Sequence, residues 1–166
     1  GEVVDDVAKY ARANILLAKI QGDLNLDKIL IPTSGGTNSV LAEKYASSLL
    51  EKDKGLIHLC SVVRPNISLE QEDKMLSILL EAEGRIQDLN GPLVDAKLVK
   101  NSSVTYGIID ESENYDAIMI GASRDSFFKR TLGSTPERIA RNSQKTVFVV
   151  KQYSPVKGLF KRIFDN

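Results

Sequence analysis

Cysteine and histidine are almost missing: Cys60 and His58 stand alone among 166 residues. A disulfide framework and a Cys/His metal cluster within one chain are thereby excluded, and a reducing, cytoplasmic setting is the simpler expectation. Charge of one sign is missing too, because 22 lysines and arginines face 22 aspartates and glutamates. Without a basic excess there is no bulk electrostatic pull on nucleic acid, and no nucleic-acid partner is expected. No apolar run approaches the roughly eighteen residues that a membrane span needs, and no signal-peptide pattern is present. The sequence opens on Gly1 without a methionine, which leaves open a fragment of a longer protein with a membrane portion outside it. Two phosphate-binding patterns, G-x-x-x-x-G-K-[ST] and G-x-G-x-x-G, are absent as well. What remains is a chain of one-domain length, long enough to bury a core without covalent or metal staples.

Small and hydroxyl residues gather in one stretch, Tyr115 to Lys151. After Asp116, the run Ala117-Ile-Met-Ile120 is short, apolar and rich in isoleucine, which reads as a buried strand. Gly121-Ala-Ser-Arg124 follows where that strand must turn. Gly133-Ser-Thr-Pro-Glu137 precedes a short helical pattern on Ile139 and Ala140, and Thr146-Val-Phe-Val-Val150 is a second buried strand. A helix N-terminus leaves free N–H groups and a partial positive charge, so an anion there gains roughly 0.3–1 kcal/mol from the dipole alone. Gly121 and Gly133 would let a ligand approach backbone amides. Capping explains the same residues with no ligand: Ser134 with Glu137 fits a capping box, and Thr135 before Pro136 fits an N-cap followed by proline at the first helical position. The stretch by itself leaves both readings open.

Taken together, Gly121-x-x-Arg124, Gly133-Ser134-Thr135, Arg138-Ile-Ala-Arg141 and Val147-Phe-Val-Val150 resemble the C-terminal signature of the universal stress protein family. In nucleotide-binding members that signature runs glycine, two residues, glycine, nine residues, glycine, then serine or threonine, and its amides and hydroxyls hold ATP phosphates. The resemblance implies a phosphate site at Gly121, Ser123, Arg124, Gly133, Ser134 and Thr135. Two departures stand out: Arg124 occupies the place of the second glycine, and eight residues instead of nine separate it from Gly133. Arg124 would bring charge to a phosphate but would also obstruct its approach to the backbone.

Upstream, Val4, Val7, Ala11, Ile15, Leu16 and Ile20 recur at helical spacing with charges between them, predicting one helix over residues 3–20 that ends at Gly22-Asp23. The resembled family starts directly with its first strand, so residues 1–26 read as an added connector helix, a dimer contact or a cover for one face. Lys28-Ile-Leu-Ile-Pro32 is the first strand, and Thr33-Ser-Gly-Gly-Thr-Asn-Ser39 is its turn. Ligands of open α/β sheets bind at the carboxyl ends of strands, which makes Pro32, Thr33, Ser34, Gly35 and Gly36 candidate nucleotide contacts. A tight turn needing positive φ is the plainer explanation of Gly35 and Gly36. The family's common adenine-contacting aspartate is missing at Ser34. The Gly-Gly-x-Asn form instead resembles stress-protein domains fused to the cytosolic ends of transporters, such as amino-acid permeases and chloride-channel-type proteins. Ser34-Gly-Gly-Thr-Asn-Ser39 is also similar to the Ser-Gly-Gly-x-Asp-Ser loop of the PP-loop ATP pyrophosphatases, with Asn38 replacing the aspartate and no companion catalytic signature downstream.

Helical spacing continues over Val40 to Leu50, and Leu56 to Val63 is a buried strand in which His58 and Cys60 read as structural. The resemblance places Val62 beside the adenine. Ser68 to Asn90 is the longest helix, with Ser68-x-x-Gln71 as its cap and Gly91-Pro92 as its stop. Leu93 to Lys100 alternates as a strand, and Ser103 caps a helix running to about Glu113. The expected fold is α/β: an open five-stranded parallel sheet over residues 27–151, in the order 3-2-1-4-5, with helices on both faces and the added N-terminal helix. Its last strand, Thr146 to Val150, would lie at an edge and offer a homodimer contact. Residues 152–166 interleave Val156, Leu159, Phe160, Ile163 and Phe164 with Lys157, Lys161 and Arg162. Such a basic amphipathic tail suits its own domain, a sister chain or an anionic membrane surface.

The functional expectation is an adenine-nucleotide-binding regulatory domain, taking ATP or another adenine nucleotide with Mg²⁺ as a companion ion. It would sit in the cytoplasm, or at the cytosolic face of the membrane as part of a transporter. No catalytic residue or metal ligand is singled out, because no activated nucleophile or acid–base pair has suitable spacing. A structural dimerisation module without nucleotide and a PP-loop-like pyrophosphatase are the alternatives.

Overall fold

A computed structural model describes residues 11–89, 91–122 and 135–153. Strands β1 (Ile15–Lys19), β2 (Lys28–Pro32), β3 (Leu56–Val63), β4 (Leu93–Lys100), β5 (Ala117–Gly121) and β6 (Thr146–Lys151) form one sheet in the order β1-β6-β5-β2-β3-β4. Neighbours from β4 across to β6 pair in parallel, whereas β1 runs antiparallel to β6. Helices α1 (Thr37–Leu49), α2 (Leu69–Asp88), α3 (Val104–Glu111) and α4 (Thr135–Asn142) cover the two faces.

The layering follows from the period of two along each strand. Ile29 and Ile31 of β2, with Ile57, Leu59 and Met119, pack against Ala42 and Ala46 of α1 and Leu79 and Ile86 of α2. Leu30, Ile118, Ile120 and Val147 point the other way, onto Ile108 of α3 and Ile139 of α4. Because both faces are covered, β2 and β5 read as unbroken apolar runs without polar alternation. Ser68 caps α2 as a complete capping box, its hydroxyl accepting from the Gln71 amide while the Gln71 side chain accepts from the Ser68 amide. Ser103 caps α3 by accepting from the Tyr106 amide.

The expected N-terminal helix is corrected. Residues 11–14 are not helical and Ile15–Lys19 are strand β1; the earlier part of that expectation lies outside the described residues. Ile15-Leu-Leu-Ala is compatible with either period, and pairing decides. The outer edge of β6 carries a row of backbone donors and acceptors, and β1 satisfies it from Ile15 opposite Lys151 to Lys19 opposite Val147. The Lys19 ammonium, 2.7 Å from the Ala140 carbonyl, donates to the carboxyl end of α4, where a cation is favoured by the helix dipole. The sheet thus has six strands, five parallel and one antiparallel, and β6 is interior. The edge that the last strand was expected to offer a second copy is already filled by the chain's own β1. Of the basic tail, only Gln152 and Tyr153 fall within the described residues.

Candidate functional site

A cleft of about 610 Å³ opens at the carboxyl ends of β2, β3 and β5. It lies where the chain reverses direction across the sheet: β3 and β4 follow β2 on one side, β5 and β6 on the other. Of the residues singled out by sequence, Pro32, Thr33, Ser34, Gly35, Gly36, Val62, Gly121 and Thr135 all line this cleft. Ser123, Arg124, Gly133 and Ser134 lie outside the described residues.

The loop from β2 into α1 is fixed mostly by its own hydrogen bonds. The Thr33 amide donates to the Cys60 carbonyl (2.8 Å), the Ser61 hydroxyl donates to the Thr33 carbonyl (2.7 Å), and the Thr33 hydroxyl accepts from the Gly35 amide (3.3 Å). Thr33 is buried and its polar groups already hold the turn. Gly35 has φ 78°, which a side chain rarely adopts, so the tight-turn explanation applies to it. Gly36 differs: its φ of −77° suits any residue, it is the N-cap of α1, and a Cβ there would meet nothing within 4 Å. Its missing side chain leaves open space in the cleft wall.

At Gly121, which lines the cleft, close packing accounts for the missing side chain. A Cβ at this position would lie 2.7 Å from both the Asn38 carbonyl carbon and the Ser39 nitrogen, so the space is taken by the first turn of α1 and not by a ligand. Asn38 completes the same junction: its side-chain amide donates to the Ala122 carbonyl (2.6 Å) and accepts from the Gln152 amide (2.8 Å). It thus ties the ends of β5 and β6 to α1, a role for which an aspartate lacks the donor.

Thr37, Asn38, Ser39, Met75, Val104 and Ile108 also line the cleft and were not foreseen as site residues. Val104 and Ile108 are one turn apart on α3, so a shared face was readable; that this face meets the end of β3 was not. Val62, Met75, Val104 and Ile108 contribute apolar side chains to the lining, and the start of α1 contributes hydroxyls and backbone amides. The arrangement suits a ligand with a flat apolar part and a polar or anionic part.

Cys60 and His58 share a face of β3. The Cys60 thiol is pushed up to about 12, first by burial and then by Glu111. Since the thiolate is the nucleophile, Cys60 serves as apolar wall and not as a reactive group. Native protein at pH 8 is expected to be alkylated by iodoacetamide at least about a hundredfold more slowly than unfolded protein, because each pKa unit is tenfold in thiolate. Equal rates would refute this. The thiol ionises first in the unfolded chain, so its contribution to stability is whole below about pH 9 and is lost as pH rises toward 12. His58 does not line the cleft. Its Nδ1 pairs with Asp95, its Nε2 lies 3.5 Å from Glu111 without hydrogen-bond geometry, and its ring stacks on Tyr115 at 5.0 Å. These contacts knit β3, β4 and α3 together.

The sequence pattern of the Universal stress protein family matches residues 25–151. No curated protein matches the chain. Among solved structures, a universal stress protein in complex with cAMP is similar with a TM-score of 0.65 at 18% identity, over 78% of this chain and 99% of its own. A universal stress protein from Archaeoglobus fulgidus in complex with dAMP gives 0.62 at 14% identity, over 78% of this chain and 100% of its own. One from Archaeoglobus fulgidus DSM 4304 gives 0.65 at 21% identity, over 92% of this chain and 55% of that one. At such identities the structural likeness concerns the fold, whereas the sequence match runs unbroken from β2 to β6. The chain belongs to the universal stress protein family.

Proposed function

We propose that the chain binds an adenine nucleotide in the cleft at the carboxyl ends of β2, β3 and β5, without turning it over. The observation that carries this reading is the meeting, in one cleft, of the Pro32–Gly36 loop and Val62 with Gly121 and Thr135 from the other half of the sheet. Similar structures with cAMP and dAMP support the adenine part. The apolar part of the lining suits the base, and the amide- and hydroxyl-bearing part suits the phosphates, with Mg²⁺ as a companion where two or more phosphates are present. The absence of turnover is argued from Asn38, whose side chain is committed to Ala122 and Gln152 and carries no acid.

Titration calorimetry with ATP, ADP, AMP and cyclic AMP tests the reading, with Gly36→Leu as the key variant. A Cβ at this N-cap meets nothing within 4 Å and the position requires no unusual φ, so the fold should tolerate a leucine. It fills the cleft, however, and is expected to weaken nucleotide binding at least about tenfold, or 1.4 kcal/mol. A folded variant with unchanged affinity would sink the placement, and a wild type that binds none of the four would leave a structural module. Sustained pyrophosphate release from ATP would overturn the non-catalytic part.

The finer reading is a cytosolic regulatory domain of a membrane transporter. It rests on the Gly35-Gly36-Thr37-Asn38 form of the first loop and on the basic apolar sequence after Tyr153. A complete reading frame that encodes no membrane-spanning segment would end it.

A further inference from the structure

We propose that the chain forms a two-fold symmetric dimer through the free edge of β4, in which residues 93–99 pair antiparallel with their own copy about Ala96.

Two strands end the sheet, β1 and β4. β4 is the longer, eight residues, with β3 on one side and no strand on the other among the described residues. Such an edge is a template for another strand. The Leu93 amide donates to the Gly55 carbonyl and the Asn101 amide to the Val63 carbonyl, so the odd-numbered residues of β4 bond toward β3. The backbone groups of Val94, Ala96 and Leu98 therefore point outward.

The order of side chains along that edge selects a second copy of the same chain. Leu93-Val-Asp-Ala-Lys-Leu-Val99 complements itself when reversed: centred on Ala96, it sets Asp95 opposite Lys97, Val94 opposite Leu98 and Leu93 opposite Val99. Opposite charges and apolar pairs are what stabilise an antiparallel ladder. Centring on Asp95 or on Lys97 would set like charges against each other, and the backbone of both residues is already turned toward β3. Ala96 faces out, so its amide and carbonyl meet those of its copy as a hydrogen-bonded pair, with Val94 and Leu98 pairing likewise on either side. Charge and backbone direction thus pick the same register. Asp95 and Lys97 have partners in their own chain, His58 and Glu111, yet keep 59% and 56% of their side-chain surface exposed. Each can serve a second partner across the edge.

Helix α2 adds apolar surface beside it. Glu72 reaches Lys100 of β4 (3.1 Å) and Arg85 reaches Glu43 of α1, which distinguishes the β4 side of the helix from the α1 side. Leu69, Leu76 and Leu80 recur at helical spacing next to Glu72 and are exposed. Leucines flanking an open strand edge suit a protein partner better than water. A dyad uses one such surface twice, as most assemblies of identical chains do.

Sedimentation of the whole chain at tens of micromolar is expected to show a dimer, and Ala96→Pro to weaken it at least about tenfold, because two backbone bonds at the dyad are lost. Proline is accepted at an edge position whose N–H serves nothing within its own chain, so circular dichroism and thermal unfolding should stay those of wild type. Cysteines read the register. Residues of a hydrogen-bonded antiparallel pair have Cα atoms about 5.5 Å apart, within disulfide range, so Ala96→Cys should cross-link to its copy on mild oxidation. Leu93→Cys, whose copy would lie about 20 Å away, should cross-link at least about tenfold more slowly. The buried Cys60 does not compete. A monomeric wild type would overturn the proposal, as would a dimer that a folded Ala96→Pro leaves intact, or equal cross-linking of the two cysteine variants. If Ala96→Pro does not fold, the cysteine comparison decides.

Discussion

Arg85→Met is expected to lower the unfolding free energy by about 3 kcal/mol, near the bottom of the range for breaking a buried ion pair. Glu43 of α1 is only 1% exposed, and both of its carboxylate oxygens are taken by Arg85 of α2, at 2.8 Å from Nε and 3.0 Å from Nη2. The pairing holds the Arg85 guanidinium above its usual range, chiefly through the hydrogen bond to Glu43. Among the described residues no other cation reaches this carboxylate. Removing the arginine strands a charge between two helices and the sheet, whereas Arg85 itself, about one-third exposed, gave up less hydration to reach it. For the same reason the double variant Glu43→Leu/Arg85→Met should recover most of the loss, because a buried ion pair can often be replaced by apolar groups of similar volume at little cost. Urea unfolding of wild type, both single variants and the double variant closes the cycle. A loss under about 1 kcal/mol for Arg85→Met would show that Glu43 is compensated by something other than Arg85. Since the start of α1 contributes hydroxyls and amides to the cleft lining, a loosened α1–α2 contact should also weaken nucleotide binding.

At Gly121, replacement by alanine is expected to cost about 2 kcal/mol or more, a larger effect than one added methyl usually has. The new carbon would sit 2.7 Å from two backbone atoms of α1, and neither can rotate away as a side chain would. Relief requires the first turn of α1 to retreat from β5, which strains the 2.6 Å bond from Asn38 to the Ala122 carbonyl. Stability and ligand affinity should therefore fall together in Gly121→Ala. In Gly36→Leu, by contrast, affinity should fall with at most the modest stability loss of a poorer N-cap, because a Cβ there meets nothing within 4 Å. Thermal unfolding and AMP titration of the two variants side by side separate a glycine that serves packing from one that borders the ligand. A Gly121→Ala protein with the melting temperature and affinity of wild type would remove the packing role.

Much of this could be read before any contact was known. The apolar runs of β2, β3 and β5 and the helical spacing of α1, α2 and α3 are local patterns, and covering a parallel sheet on both faces allows few other arrangements of them. Capping at Ser68 and Ser103 was equally local, since a hydroxyl three residues before a free amide acts within one turn. The first loop was singled out by its position at a strand end and the segment after β5 by its glycines and hydroxyls, and a cleft opens where Gly121 and Thr135 meet that loop. What the residues could not decide by themselves was anything that depends on which elements meet. Ile15 to Lys19 fit a helix or a strand, and only the unfilled edge of β6 selects the strand. Gly121 was visible as a glycine at a strand end, but whether a ligand or a helix fills its missing side chain depends on how closely α1 approaches β5. Asn38 looked like a replaced acid until Ala122 and Gln152 came within reach from 84 and 114 residues away in sequence. Periodicity records which side of an element faces inward. Edge pairing, close backbone approach and hydrogen bonds across the sheet arise only once distant segments are brought together by the burial of those sides.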